Sequence, residues 1–219
     1  MNHDALTDED LNAQFLPQMT ALLPAEGKPV HAETLLTLCL ADGLLEVLEW
    51  SAEGTGADPL GAMWLACLRW HRTVAWDFPE RAPQPPQRPT DHALTLILQA
   101  GGIQLIPGSA DSSAAGLASG EMAYPTSPAQ PDVYDAAVLS RAVPIGLVPY
   151  VGAETRKKWA QEAVSLTHGH PDLTAAAQSR VAAVSTGEHT PQPAAAPNPL
   201  LRVVVDDLAR RWQGIAQAA

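Results

Sequence analysis

The feature that most constrains this chain is residues 29–50, PVHAETLLTLCLADGLLEVLEW, which carry its strongest helical pattern. Leu38, Ala41, Leu45 and Leu48 recur at three- and four-residue steps, and Leu35, Leu36, Leu44 and Val47 widen that stripe until little is left to face water. A helix apolar almost all round has to be wrapped by other elements, so it predicts the central packing element of a core. Its polar head is different in kind. His31, Glu33 and Thr34 stand where loop meets helix, a position from which such groups cap a first turn, bind a cation or do chemistry.

At 219 residues and 46% hydrophobic content, the chain has material for one large domain. A formal net charge of -11 argues against a nucleic-acid partner, because a phosphate-tracking surface needs clustered Lys and Arg. The basic run Arg156-Lys157-Lys158 reads as a solvated helix face. Cys39 and Cys67 fall inside apolar helical patterns and read as reduced core residues of a cytoplasmic protein. The N-terminus is acidic where an export signal would be basic and then apolar, and no apolar run approaches the ~18 residues of a membrane span.

In chain order, Thr7-Asp8-Glu9-Asp10 predicts the start of a short helix running to about Met19. The long helix ends at Glu53-Gly54-Thr55-Gly56, and Asp58-Pro59 opens the next with Asp58 as N-cap and Pro59 at the first helical position. That helix carries Leu60, Met63, Trp64, Cys67, Leu68 and Trp70 on an apolar face that should form a hairpin with the first. Residues 76–90 are too proline-rich for helix or central strand and predict an extended surface loop, or a ligand for a proline-recognition domain. Short helices are expected over residues 91–100 and within 107–120, and an apolar segment over 136–147 should be kinked or ended by Pro144 and Gly146. Residues 154–166 predict an amphipathic helix with Trp159, Ala163 and Leu166 inward and Arg156, Lys157 and Glu162 outward. Another helix follows over about 173–184. Residues 191–199 read as a Pro/Ala linker between a body of residues 1–190 and a C-terminal helix in 200–219 that docks on the body or serves a partner. Period-two alternation is scarce, so the fold class is all-α, a single-domain helical bundle with long irregular loops.

His168 and His170 form a His-x-His pair that would hold a transition metal if a third ligand converged. Otherwise His168 caps the preceding helix and His170 packs beside Pro171. No nucleophile elbow, phosphate loop, paired-Cys metal site or dinucleotide fingerprint is present.

Four segments in order resemble the ADP-ribosylglycohydrolase family, of the dinitrogenase-reductase-activating type. Residues 163–177, AVSLTHGHPDLTAAA, resemble its Thr-His-Gly-His-Pro helix junction, and residues 34–48 resemble the helix that follows its Thr-Asp-Asp-Thr metal motif. Residues 117–120 resemble the segment before its central loop, and LSRAVPIGL at 139–147 resembles its Met-Arg-x-x-Pro helix. The resemblance spans roughly residues 25 to 185. It implies an all-helical fold and cleavage of the bond between ADP-ribose and an acceptor with two Mg2+ ions, hard cations suited to carboxylate oxygens.

The departures bear directly on that activity. His31, Ala32 and Glu33 stand where the family has Thr, Asp and Asp, and only Thr34 matches outright; Ala32 has no ligand atom. The family's preceding Gly-Asp-Ala-Leu-Gly helix and its C-terminal Gly-Asp-x-Asp-Thr motif have no counterpart, Asp206-Asp207 lying in an unrelated context. Where the family has a glycine-rich diphosphate loop, this chain has Asp132-Val133-Tyr134-Asp135-Ala136-Ala137. The leading expectation is a degenerate, truncated homologue without the two-magnesium site, with Glu33 and Thr34 as vestigial metal ligands, no cofactor, and residual binding of ADP-ribose or an ADP-ribosylated protein near His168, Asp132 and Asp135. A second reading is an active ADP-ribosyl hydrolase that uses Glu33 catalytically and Mg2+ as cofactor. A third is a non-catalytic interaction module presenting the proline loop and the C-terminal helix. The plainest reading of Glu33 and Thr34 is first-turn capping, and whether Tyr134 closes the space between Glu33, Asp135 and His168 separates an open cleft from a filled one.

Overall fold

The computed structural model describes residues 5–189 and 192–216. They form α1 (Asp8–Ala21), α2 (Ala32–Ala52), α3 (Pro59–Ala75), α4 (Pro89–Gln99) and α5 (Asp111–Leu117). A 3-10 turn (Ala136–Arg141) then runs into α6 (Ala142–Gly146), followed by α7 (Ala153–Ser165), α8 (Pro171–Ser185) and α9 (Pro199–Ala216). The fold is all-α, and among the described residues strand-like pairing is confined to isolated bridges such as Val30 with Leu105.

The central element is α2. Every residue from Leu35 to Leu45 is buried, and α3, α4, α6, α9 and the 3-10 turn pack around it. Gly43 sets the closeness of α2 to α3, since a Cβ there would lie 3.0 Å from both the Ala62 carbonyl oxygen and the Ala66 Cβ. Local chemistry fixes the helix starts as expected. Thr7 and Asp10 cap α1 reciprocally. The Asp58 side chain accepts from Leu60 N ahead of Pro59 in α3, and His170 caps α8.

Residues 192–199 thread back along the body: Glu26 N donates to Ala196 O and Asn198 N to Pro24 O, both at 2.8 Å. Asn198 Oδ1 then accepts from Leu200 N and Leu201 N at 3.1 Å, starting α9. The buried face of α9, Leu201, Val204, Val205, Leu208, Ala209 and Trp212, packs on α1, α2 and α4, and Trp212 stacks on Phe15 with ring centroids 4.3 Å apart. This helix is part of the same core as α2.

Two local expectations change. Residues 136–147 form not one helix but a 3-10 turn and a single-turn α6 that contains Pro144 and, as expected, ends at Gly146. In α7, Arg156 and Glu162 are buried rather than outward, at 5% and 8% exposure. Arg156 lays its stem over the core and donates Nε to Val148 O at 2.9 Å, so a long cationic side chain can belong to an inner face.

Candidate functional site

The head of α2 is where the sequence placed the functional question. His31 is extended there, and its Nδ1 accepts from Glu33 N at 3.2 Å, so His31 supplies the cap. This corrects the capping reading of Glu33 and Thr34. Ala32 is held from both ends, its N–H donating to Ser109 Oγ at 3.0 Å and its carbonyl accepting from Trp70 Nε1 at 2.9 Å. With the cap provided, the Glu33 side chain turns inward and is only 2% exposed.

Its partner is Arg141, at the end of the 3-10 turn. Arg141 Nε donates to Glu33 Oε2 at 3.0 Å and Nη2 to Oε1 at 2.9 Å, a bidentate pair, and Ser113 Oγ donates to Oε1 as well. The other guanidinium protons go to Ser113 Oγ (2.8 Å), Ala163 O (3.1 Å) and Thr167 Oγ1 (2.7 Å). All five N–H donors of Arg141 are therefore satisfied in a site with 1% exposure. Burial alone would lower its pKa, but the Glu33 carboxylate outweighs that and holds it above the ordinary value.

His168 continues the network. Its Nδ1 lies 2.8 Å from Thr167 Oγ1 and its Nε2 lies 2.7 Å from Ser112 Oγ. A neutral ring donates through one of these nitrogens and accepts through the other, so either tautomer is satisfied by the two hydroxyls. Burial, and then the Arg141 charge, push the His168 pKa down to about 4. Gln130 Nε2 ties the rim together by donating to Ser112 O at 2.9 Å and Thr167 O at 2.7 Å. Gly116 in α5 is required, because any Cβ there would overlap the Thr167 backbone.

The other expected site residues lie outside this network. Thr34 is half-buried beside the α2 cap, and Asp132 is exposed. Asp135 Oδ1 caps the 3-10 turn by accepting from Ala137 N at 2.9 Å, close enough for its charge to act on Arg141 and His168. Tyr134 is 49% exposed and meets the His170 ring edge-on at 5.5 Å, so it does not close the space between Glu33 and His168. Arg141, Ser113 and Thr167 fill that space. His170 accepts from Asp172 N through Nδ1, so the two histidines of His-x-His serve separate purposes. His168 closes α7 through its backbone N–H, to Val164 O at 2.8 Å, while its ring is interior.

A divalent cation does not fit the donors present. Ala32 offers none, both Glu33 oxygens already accept from Arg141, and that guanidinium is a fixed positive charge at the same spot. Among the described residues, no group of three or more His, Cys, Asp or Glu side chains is placed to hold a metal ion.

The family model for ADP-ribosylglycohydrolases matches residues 3–219, nearly the whole chain. The chain belongs to the ADP-ribosylglycohydrolase family. No curated protein and no solved structure matches it. In this member of the family, the family-like segments at the head of α2, at residues 139–147 and at the α7–α8 junction converge on the Glu33–Arg141–Thr167–His168 network.

Sequence reasoning missed Arg141, Ser112, Ser113, Thr167 and Gln130 as participants. One signal was available for Arg141, a lone charge inside the apolar run AAVLSRAVPIGL. A second buried cluster was missed entirely. Asp42, 2% exposed, accepts from Arg88 at 2.9 Å, Arg211 at 2.8 Å and Thr90 N at 3.2 Å, tying α2 to the start of α4 and to α9. Burial would raise the Asp42 pKa, yet Arg211 and Arg88 together hold it below the usual carboxylate value.

Proposed function

We propose that this chain is a degenerate, non-catalytic member of the ADP-ribosylglycohydrolase family, without the two-magnesium site and without glycohydrolase activity. One observation carries the reading: the bidentate Glu33–Arg141 pair, buried and fully hydrogen-bonded, at the position where the family places a metal-binding Asp. Both Glu33 oxygens accept from the Arg141 guanidinium and Oε1 also accepts from Ser113, so what remains on Oε2 faces a fixed positive charge that repels Mg2+, and neither the vestigial-ligand role nor a catalytic role for Glu33 has support in the geometry. The buried His168 ring, with both nitrogens engaged by Thr167 and Ser112, is a structural link and not a general base. The exposed Asp132 and the neighbouring Asp135 bring negative charge to a region where a diphosphate would need N–H donors. Residual contact with ADP-ribose or an ADP-ribosylated protein is therefore weak and confined to the rim formed by Ser112, Gln130 and Asp135. Cys39 and Cys67, both free and buried, are in keeping with a reducing, cytoplasmic setting. No helix among the described residues is long and apolar enough to cross a membrane.

The direct test is release of ADP-ribose from an ADP-ribosylated protein in the presence of Mg2+. No release above the uncatalysed background is expected; Mg2+-dependent release by the unaltered protein would establish the active-hydrolase reading instead.

A further inference from the structure

Residues 83–88 form neither helix nor strand, and their exposure repeats every third position. Pro85 is buried, with Ala82 and Arg88 half-buried on either side of it in the sequence, while Pro83, Gln84, Pro86, Gln87 and Pro89 are exposed. A period of three is what a proline-rich segment in the polyproline II form would show, one edge against the body and two in water. Three arginines pin the inner edge. Arg72 Nη1 donates to Pro85 O at 3.3 Å and Arg69 Nε to Pro86 O at 3.0 Å. Arg88 pairs with Asp42 (2.9 Å), Glu46 (3.3 Å) and Glu49 (3.0 Å).

We propose that this strip, with the exposed rings of Pro83 and Pro86, is a docking site for a partner domain whose binding groove is lined by uncharged aromatic side chains. The exposed edges carry only proline and glutamine, so recognition must come from ring stacking and from donors to the free carbonyls. Arg88, the basic side chain that follows Pro86, is held by three carboxylates, so grooves that need a cationic anchor after the prolines do not fit, and the exposed Arg81 lies before the strip. Immobilising the strip in advance removes the ordering cost that a free proline-rich segment meets on binding. The strip belongs to the loop between α3 and α4 and is independent of whether the Glu33 site is catalytic.

The test titrates the full-length protein with two purified probes, a polyproline-binding WW domain, whose groove is aromatic and uncharged, and an SH3 domain, whose groove carries an acidic anchor pocket. The WW domain is expected to bind. The Pro83→Ala/Pro86→Ala double variant should bind about tenfold more weakly or worse, with its helical circular dichroism and melting transition essentially unchanged because both rings are exposed. Binding should hardly change between roughly 0.05 and 0.5 M salt. Absence of WW binding, undiminished binding by the double variant, or binding confined to the SH3 domain and lost with salt would each overturn the proposal.

Discussion

A buried carboxylate that accepts from one guanidinium at both oxygens can release neither oxygen without stranding a charge, which is why Glu33 and Arg141 stand or fall together. Replacing Glu33 by Gln leaves Arg141 uncompensated at 1% exposure, and the expected loss is about 3–5 kcal/mol of unfolding free energy in urea denaturation. A loss below about 1 kcal/mol would show that the pair contributes no more than a surface ion pair. His168 gives a second, pH-dependent prediction. Its folded pKa of about 4 lies below the unfolded value near 6.5, so between those values the unfolded chain binds the proton more readily. The stability conferred by a neutral ring is therefore complete above about pH 6.5 and is lost as pH falls towards 4, by up to about 3 kcal/mol. His168→Gln should flatten that part of the profile when unfolding is followed at pH 7.5 and 4.5; an unchanged acid limb would contradict the buried, neutral ring. At this scale the sequence was legible only in part. His31, Glu33 and Thr34 were recognisable as a polar head, but the choice of His31 as cap depended on where Glu33 could go, and its partner lies 108 positions away. Nothing in local spacing encodes such a pairing.

Elements were more legible than residues, because caps and apolar periodicity are local. Thr7, Asp58-Pro59 and His170-Pro171 start α1, α3 and α8 by hydrogen bonds made within two or three residues, and the leucine stripe made α2 recognisable as the core helix. The segment before α6 was misread because a 3-10 turn and an α-turn share the same apolar run, and only packing against α2 and α8 separates them. Whether α9 docks could not be read from its own amphipathicity, since a partner would want the same face. The structure answers with the Phe15–Trp212 stack, and Trp212→Ala should cost about 3–5 kcal/mol. A near-neutral effect in thermal or urea unfolding would mean that α9 rests on the body without supporting it. Gly116→Ala tests the contact of α5 with the α7–α8 junction. Its Cβ cannot be accommodated against Thr167 unless α5 moves away with Ser112 and Ser113, so a loss of about 1–3 kcal/mol is expected.

For the whole molecule, composition and the four family-like segments made the all-α class and the family legible before any coordinates. The state of the site was not legible to the same degree. The spacing around His31, Ala32 and Glu33 departs from the family pattern but does not say what Glu33 meets. Glu33 joins one continuous polar network linking α2, α5, the 3-10 turn and the α7–α8 junction, so the head of α2 and the core are the same structure. The clasp of Asp42 with Arg88 and Arg211 works likewise at the other side of α2, holding the proline loop and α9 to the body. A protein organised this way should be stable without a divalent cation and indifferent to its addition. Calorimetric titration of Mg2+ into the protein, alone and with ADP-ribose present, tests this most directly. No binding tighter than the millimolar range is expected, and a parallel melt should show no shift, whereas a ligand at 100 times its Kd would stabilise the fold by about 2.7 kcal/mol. Tight binding of two Mg2+ ions would contradict the account, because it would require Glu33 to leave Arg141.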